Sequence, residues 1–94
     1  MITPEIVAQF RGRMHLDEFE DNNIQSILEA SYEDLRAICG DYDLTNNRFK
    51  ELIFERSRYV YNDALEYFHK NFLTQINNLI IAKALEETST GGEV

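Results

Sequence analysis

The sequence predicts an all-α fold: a small bundle of three to four helices followed by a flexible C-terminal tail. Three observations carry that expectation. Apolar residues recur at i, i+3, i+4 spacing in successive segments, which marks one buried face on a helix of 3.6 residues per turn. Residues that start helices stand ahead of those segments, and Gly40 stands behind the clearest of them. The final residues, Glu-Glu-Thr-Ser-Thr-Gly-Gly-Glu-Val, are small and polar, a composition too poor in apolar surface to order itself.

The first helix begins at Thr3-Pro4-Glu5. Thr3 suits an N-cap, Pro4 the first helical position, and Glu5 the positive end of the helix dipole. Ile6, Val7, Phe10 and Met14 form a one-sided stripe. Gly12 weakens the far end, so a short helix ending near Met14 is expected. In the second helix, Ile24, Ile27, Leu28, Ser31, Leu35 and Ile38 keep helical spacing. Asp17, Glu18, Glu20 and Asp21 crowd its start, and Asp17 can cap it with Glu20 at capping-box spacing. Ala30 and Ser31 are small enough for a neighbouring helix to approach closely. Gly40 supplies the C-terminal cap.

Residues 41–46 read as a loop rich in turn chemistry, with Thr45 or Asn46 capping the next helix. This third helix runs from about Asn46 to about Phe68. Phe49, Leu52, Ile53, Tyr59, Val60, Ala64, Tyr67 and Phe68 supply its apolar side, and Arg48, Lys50, Glu51, Glu55, Arg56 and Arg58 the other. Tyr61-Asn62-Asp63 are poor helix formers, where a bend or pause is expected. The fourth segment comes after His69-Lys70-Asn71, with Phe72, Leu73, Ile76, Leu79, Ile80 and Leu85 at helical spacing. The β-branched pair Ile80-Ile81 leaves a short strand as the alternative. Residues 1–85 thus form one helical domain and 86–94 the tail.

With 94 residues, the chain fits a single domain. So small a core leaves a thin stability margin, which assembly would supplement. The net charge is −8, the reverse of the basic footprint that displaces counterions from nucleic-acid phosphates. It also disfavours anionic membrane surfaces. Residues 1–45 hold ten acids against three bases, 46–71 four against five, and 72–94 three against one. An acidic half beside a balanced half suggests head-to-tail contacts between copies; acids that merely solvate exposed faces are the plainer explanation. Cys39 is the single cysteine, so no intrachain disulfide is possible and a reducing cytoplasm is the simplest compartment. No apolar run is long enough to span a bilayer, and Met-Ile-Thr-Pro-Glu lacks the features of a signal peptide. The protein is expected to stay inside the cell.

No catalytic, cofactor or metal site is expected. His15 lies near Asp17 and Glu18, and His69 beside Lys70, but neither has a partner at diagnostic spacing. Asp41-Tyr42-Asp43 resembles a calcium loop only superficially: Asn46 stands where the central Gly belongs, and Leu52 where the bidentate Glu belongs. Ser26, Ser31 and Ser57 lack nucleophile-elbow glycines, and Cys39 reads as a packing residue. With no convergent titratable set, enzymatic activity is not expected. Tyr59, Tyr61, Tyr67, Phe68 and Phe72 could stack bases, but in an acidic domain they read as core or interface residues. Arg56 and Arg58 beside Tyr59 and Tyr61 form the stretch where an interface hot spot is chemically natural.

Two stretches resemble the head–tail connector (adaptor, head-completion) family of long-tailed bacteriophages, over about residues 12–85. One is Arg13-Met14-His15-Leu16-Asp17 through Glu20-Asp21, Ile24, Ile27-Leu28, Ser31, Leu35 and Cys39-Gly40. The other, similar to versions from phages of Gram-positive hosts, is Arg56-Ser57-Arg58-Tyr59-Val60-Tyr61-Asn62-Asp63-Ala64-Leu65-Glu66-Tyr67-Phe68, then Asn71-Phe72 and Ile76. The resemblance implies a subunit of a ring, typically dodecameric, beneath the portal protein. Such a ring joins head to tail, extends the DNA channel without sequence-specific binding, helps retain packaged DNA, and offers a platform to a tail-side completion or stopper protein. It implies a place in the virion at the head–tail interface, and in the host cytoplasm during assembly. By position, Ile80 to Val94 matches the segment that commonly engages the portal. Candidate interface residues are therefore Arg56, Arg58, Tyr59, Tyr61, Ile80, Ile81 and Leu85. An acidic channel wall would let DNA slide, since like charge suppresses phosphate contacts. The competing expectation is a small acidic helical binding or regulatory module, with a DNA mimic as one version.

Overall fold

The computed structural model describes residues 2–92, with side chains as far as Glu87. Its elements are α1 (Pro4–Met14), a 3-10 turn (Glu18–Glu20), α2 (Asp21–Cys39), α3 (Asn47–Tyr61), a second 3-10 turn (Leu65–Tyr67), α4 (Phe68–Asn71) and α5 (Leu73–Gly92). The all-α class is as expected, and Ile80-Ile81 lie inside a helix rather than a strand. Helices α2 and α3 form the central pair; α1 packs on α2, and α5 lies against both.

The α1 start follows its sequence. The Thr3 side chain accepts the Ile6 N–H at 3.3 Å, and Pro4 opens the helix. Its end carries a Schellman closure without glycine. His15 adopts left-handed φ 57°, ψ 41°, while the Leu16 N–H bonds the Arg11 carbonyl and the His15 N–H that of Gly12. Leu16 then packs against the core. The end of α3 repeats this device: Asp63 sits at φ 57°, and Ala64 and Asp63 donate back to Tyr59 and Val60.

The core is built from the predicted stripes. Phe10, Ile24, Leu28, Leu35, Phe49, Ile53 and Phe68 are fully buried. Phe10 meets Phe54 edge-on at 5.6 Å, and Phe49 is held between Tyr32 and Tyr42. Small residues let α2 and α3 approach: the hydroxyls of Ser31 and Ser57, both fully buried, lie 2.9 Å apart, Ser57 donating.

Four boundaries differ from expectation. Asp17 caps the 3-10 turn, accepting the Phe19 N–H at 2.9 Å, and α2 begins later, at Asp21, without a side-chain cap. The third helix stops at Tyr61 rather than Phe68, because Asn62 and Asp63 favour the left-handed closure over helix continuation. Among the described residues the helices number five rather than three to four. Phe72 leaves helical dihedrals (φ −117°, ψ 21°) between α4 and α5, although its N–H still bonds the Phe68 carbonyl. Finally, α5 runs through Gly92, with no boundary between residues 85 and 86. Glu86 and Glu87 are good helix formers and the first glycine comes only at 91. The rest of the tail expectation, residues 93–94 and the side chains of 88–92, lies outside the described residues.

Candidate assembly surface

Helix α5 presents two apolar faces. One packs inward: Ile76 and Leu79 are buried against α2 and α3. The other faces outward. Leu73, Ile80, Ile81 and Leu85 are 54%, 36%, 54% and 63% exposed. At 3.6 residues per turn, Leu73, Ile80, Ala84 and Glu87 fall within about 60° of one another, with Ile81 and Leu85 widening the stripe on one side. The outer side of α5 therefore mixes these apolar side chains with the exposed Thr74, Asn77 and Asn78, where an ordinary surface helix is polar throughout. Tyr67 and Leu65 are also exposed, just before this helix in the chain.

A groove opens on the other flank of α5. Its α3 wall is Asn47, Arg48, Glu51, Leu52 and Glu55; its other wall is Phe72, Gln75, Asn78 and Leu79. Its volume is about 640 Å³, and a second hollow of about 350 Å³ continues it past Arg48 and Leu79 to Tyr42, Ala82 and Glu86. Leu52 and Leu79 supply a buried apolar floor. The two carboxylates of the α3 wall, Glu51 and Glu55, are neutralised within the chain. Glu51 receives both terminal nitrogens of Arg13 at 3.0 and 2.8 Å, which lowers its pKa and raises that of Arg13. Glu55 receives Arg58 at 3.1 and 2.6 Å.

The expected interface residues separate into two groups. Ile80, Ile81 and Leu85 lie together on the outer face of α5. The Arg56–Tyr61 group is engaged inside the subunit. Arg56 donates to Ser31 Oγ at 3.0 Å and brings its Nε within 3.2 Å of an Asp34 carboxylate oxygen, although not at hydrogen-bond geometry. Arg58 pairs with Glu55 and lies over the Tyr59 ring at 5.1 Å. Tyr59 packs edge-on against Phe68 and Phe72, and its hydroxyl accepts from Asn71. Tyr61 is half-buried, and lost solvent, then the nearby Glu20 carboxylate, push its phenol above the usual value.

Leu73, Leu65 and Phe19 belong to the exposed apolar set but were not expected there, and Tyr67, expected as core or interface, is exposed as well. Leu73 keeps the same helical spacing as the core residues, so periodicity cannot separate it from them. Phe19 is almost wholly exposed; the asparagines at 22 and 23, where a helical partner would stand, are the signal that it lacks a buried neighbour.

The remaining titratable groups are dispersed. His15 and His69 are exposed. Cys39 is buried, and burial followed by the Asp34 charge raises its thiol pKa. Among the described residues, no three His, Cys, Asp or Glu side chains are placed to hold a metal, and no helix is long and apolar enough to cross a membrane. In comparisons with known proteins, no family model matches the chain, and neither a curated protein nor a solved structure matches it.

Proposed function

We propose that this chain is a structural assembly subunit of the head–tail connector type, working as a ring beneath the portal protein of a long-tailed phage. In this role it has no catalytic centre and takes no cofactor. Its neighbours are copies of itself, the portal, and a tail-side completion or stopper protein. The observation that supports this most is the outer face of α5, where Leu73, Ile80, Ile81 and Leu85 leave apolar surface in water. Clustered exposed apolar side chains mark interaction surfaces. The resemblance over residues 12–85 supplies the kind of assembly. DNA passes through the ring without sequence-specific contact, which suits a chain of net charge −8.

The test is to mix the purified full chain with the candidate portal ring and image the product by electron microscopy. A symmetric additional layer on the tail side of the portal is the expected result. A correctly assembled portal that gains no layer would overturn the connector role and favour a small acidic binding module.

A further inference from the structure

The apolar stripe and the groove sit on one helix but face different directions. On α5, the groove positions Gln75, Leu79, Ala82 and Glu86 are centred roughly 130° around the helix from the stripe positions Leu73, Ile80, Ala84 and Glu87. The stripe is convex and the groove concave. Both run about 20 Å along α5, the stripe from 73 to 87 and the groove from 72 to 86. We infer that the stripe of one copy seats in the α3–α5 groove of the next, so that copies join head to tail. This rests on reading the chain as a self-assembling subunit, though not on what the assembly serves.

Three features favour a second copy as the occupant. Between Tyr67 and Leu85 the chain carries no acid, although its net charge is −8. Along residues 67–85 a seated stripe therefore brings no carboxylate into the groove; acids enter the contact only at its end, where Glu87 closes the stripe and Glu86 the groove. The groove's own carboxylates are already paired within the chain, Glu51 with Arg13, Glu55 with Arg58 and Glu86 with Lys83. The ends are complementary as well. Among the described residues, Arg48 at the groove rim has no salt bridge or hydrogen bond, and neither has Glu87 at the end of the stripe. Seating Glu87 at Arg48 of the next copy sets neighbouring α5 helices parallel.

Two different patches make the contact heterologous. It therefore does not stop at a dimer but continues to a closed ring or an open filament. One helix in one groove buries less than the roughly 1,200 Å² at which stable complexes begin. Each contact is accordingly weak, and association is expected at high concentration or on a template.

The test is sedimentation of the full chain up to about 1 mM, a range that reads millimolar contacts, with circular dichroism confirming that each variant folds. The wild-type mass should climb past that of a dimer. Leu73→Glu/Ile80→Glu removes the stripe, and Gln75→Arg/Asn78→Arg blocks the groove; each alone should be monomeric. Mixed, they should form a one-to-one pair and nothing larger, because one intact stripe meets one intact groove. Arg48→Glu should weaken association by about tenfold, and adding Glu87→Arg should restore it. A wild type that stays monomeric throughout, a stripe variant that associates as wild type does, or a mixture that does not pair overturns the inference. So does a charge swap that fails to restore binding. Portal binding is scored separately. A monomeric wild type that still layers on the portal defeats this contact and spares the connector role; a head-to-tail assembly that ignores the portal does the reverse.

Discussion

The hydroxyl of Tyr42 donates a 2.6 Å hydrogen bond to the main-chain carbonyl of Leu79, tying the α2–α3 loop to the middle of α5. The Tyr42 ring stacks on Phe49 at 5.5 Å, and the Lys83 ammonium lies 4.4 Å from its centroid. One loop residue thus links the central core to the helix that carries the exposed apolar stripe and borders the groove. Tyr42→Phe keeps the ring and removes the bond, and should cost about 1 kcal/mol in urea denaturation. Burial raises the phenol pKa. The stability this represents is complete below the ordinary tyrosine value of about 10 and is lost as pH rises through the higher folded value. The gap between wild type and Tyr42→Phe should therefore close in strongly alkaline melts.

Gly40 makes the approach to this loop possible. Its φ of +116° is open to glycine, and a Cβ there would stand 2.8 Å from Lys83 Cγ. Gly40→Ala should lower stability by about 1–3 kcal/mol through backbone strain and displacement of Lys83. Chemical denaturation measures it. A change within about 0.5 kcal/mol, the usual range for a surface substitution, would contradict this account.

The pair Arg13–Glu51 should report on acid stability. Arg13 holds the Glu51 carboxyl below its ordinary range. Its contribution is present above the unfolded glutamate pKa of about 4.3 and disappears as pH falls through the lower folded value. Wild type should exceed Glu51→Gln in melting temperature at pH 7, and the two should converge in strong acid. Both side chains are largely exposed, so salt should shrink the difference.

Arg56 should behave as a core residue rather than an assembly residue. Its side chain is 13% exposed and bridges Ser31 and Asp34 on α2. Arg56→Ala should cost about 1–2 kcal/mol, from lost packing of its stem and the loss of one of the two donors to the buried Ser31 hydroxyl. Association per folded molecule should be unchanged, which sedimentation at matched folded concentration would check.

Capping chemistry and apolar spacing are local, and local readings held where one residue acts on its near neighbours. Thr3, Pro4 and Met14 bound α1 as expected, Asn46 caps α3 by accepting the Phe49 N–H at 3.0 Å, and Ile24, Leu28, Ser31 and Leu35 form the buried face of α2. The left-handed closures at His15 and Asp63 carry no glycine, the residue that advertises such a backbone in a sequence.

The helical class, the starts of α1 and α3 and the stripes that become core are legible in the residues, since these depend on side-chain type and on the period of the backbone. Tertiary structure alone decided which of several equally apolar residues on α5 face water. Ile76 and Leu79 turn inward and Leu73 and Ile80 outward because Tyr42 and Lys83 dock α5 on its neighbours at one rotation. It likewise drew Arg56 from the surface into the α2–α3 packing. Periodicity measures angles around a helix; which angle meets a partner is set by the partner.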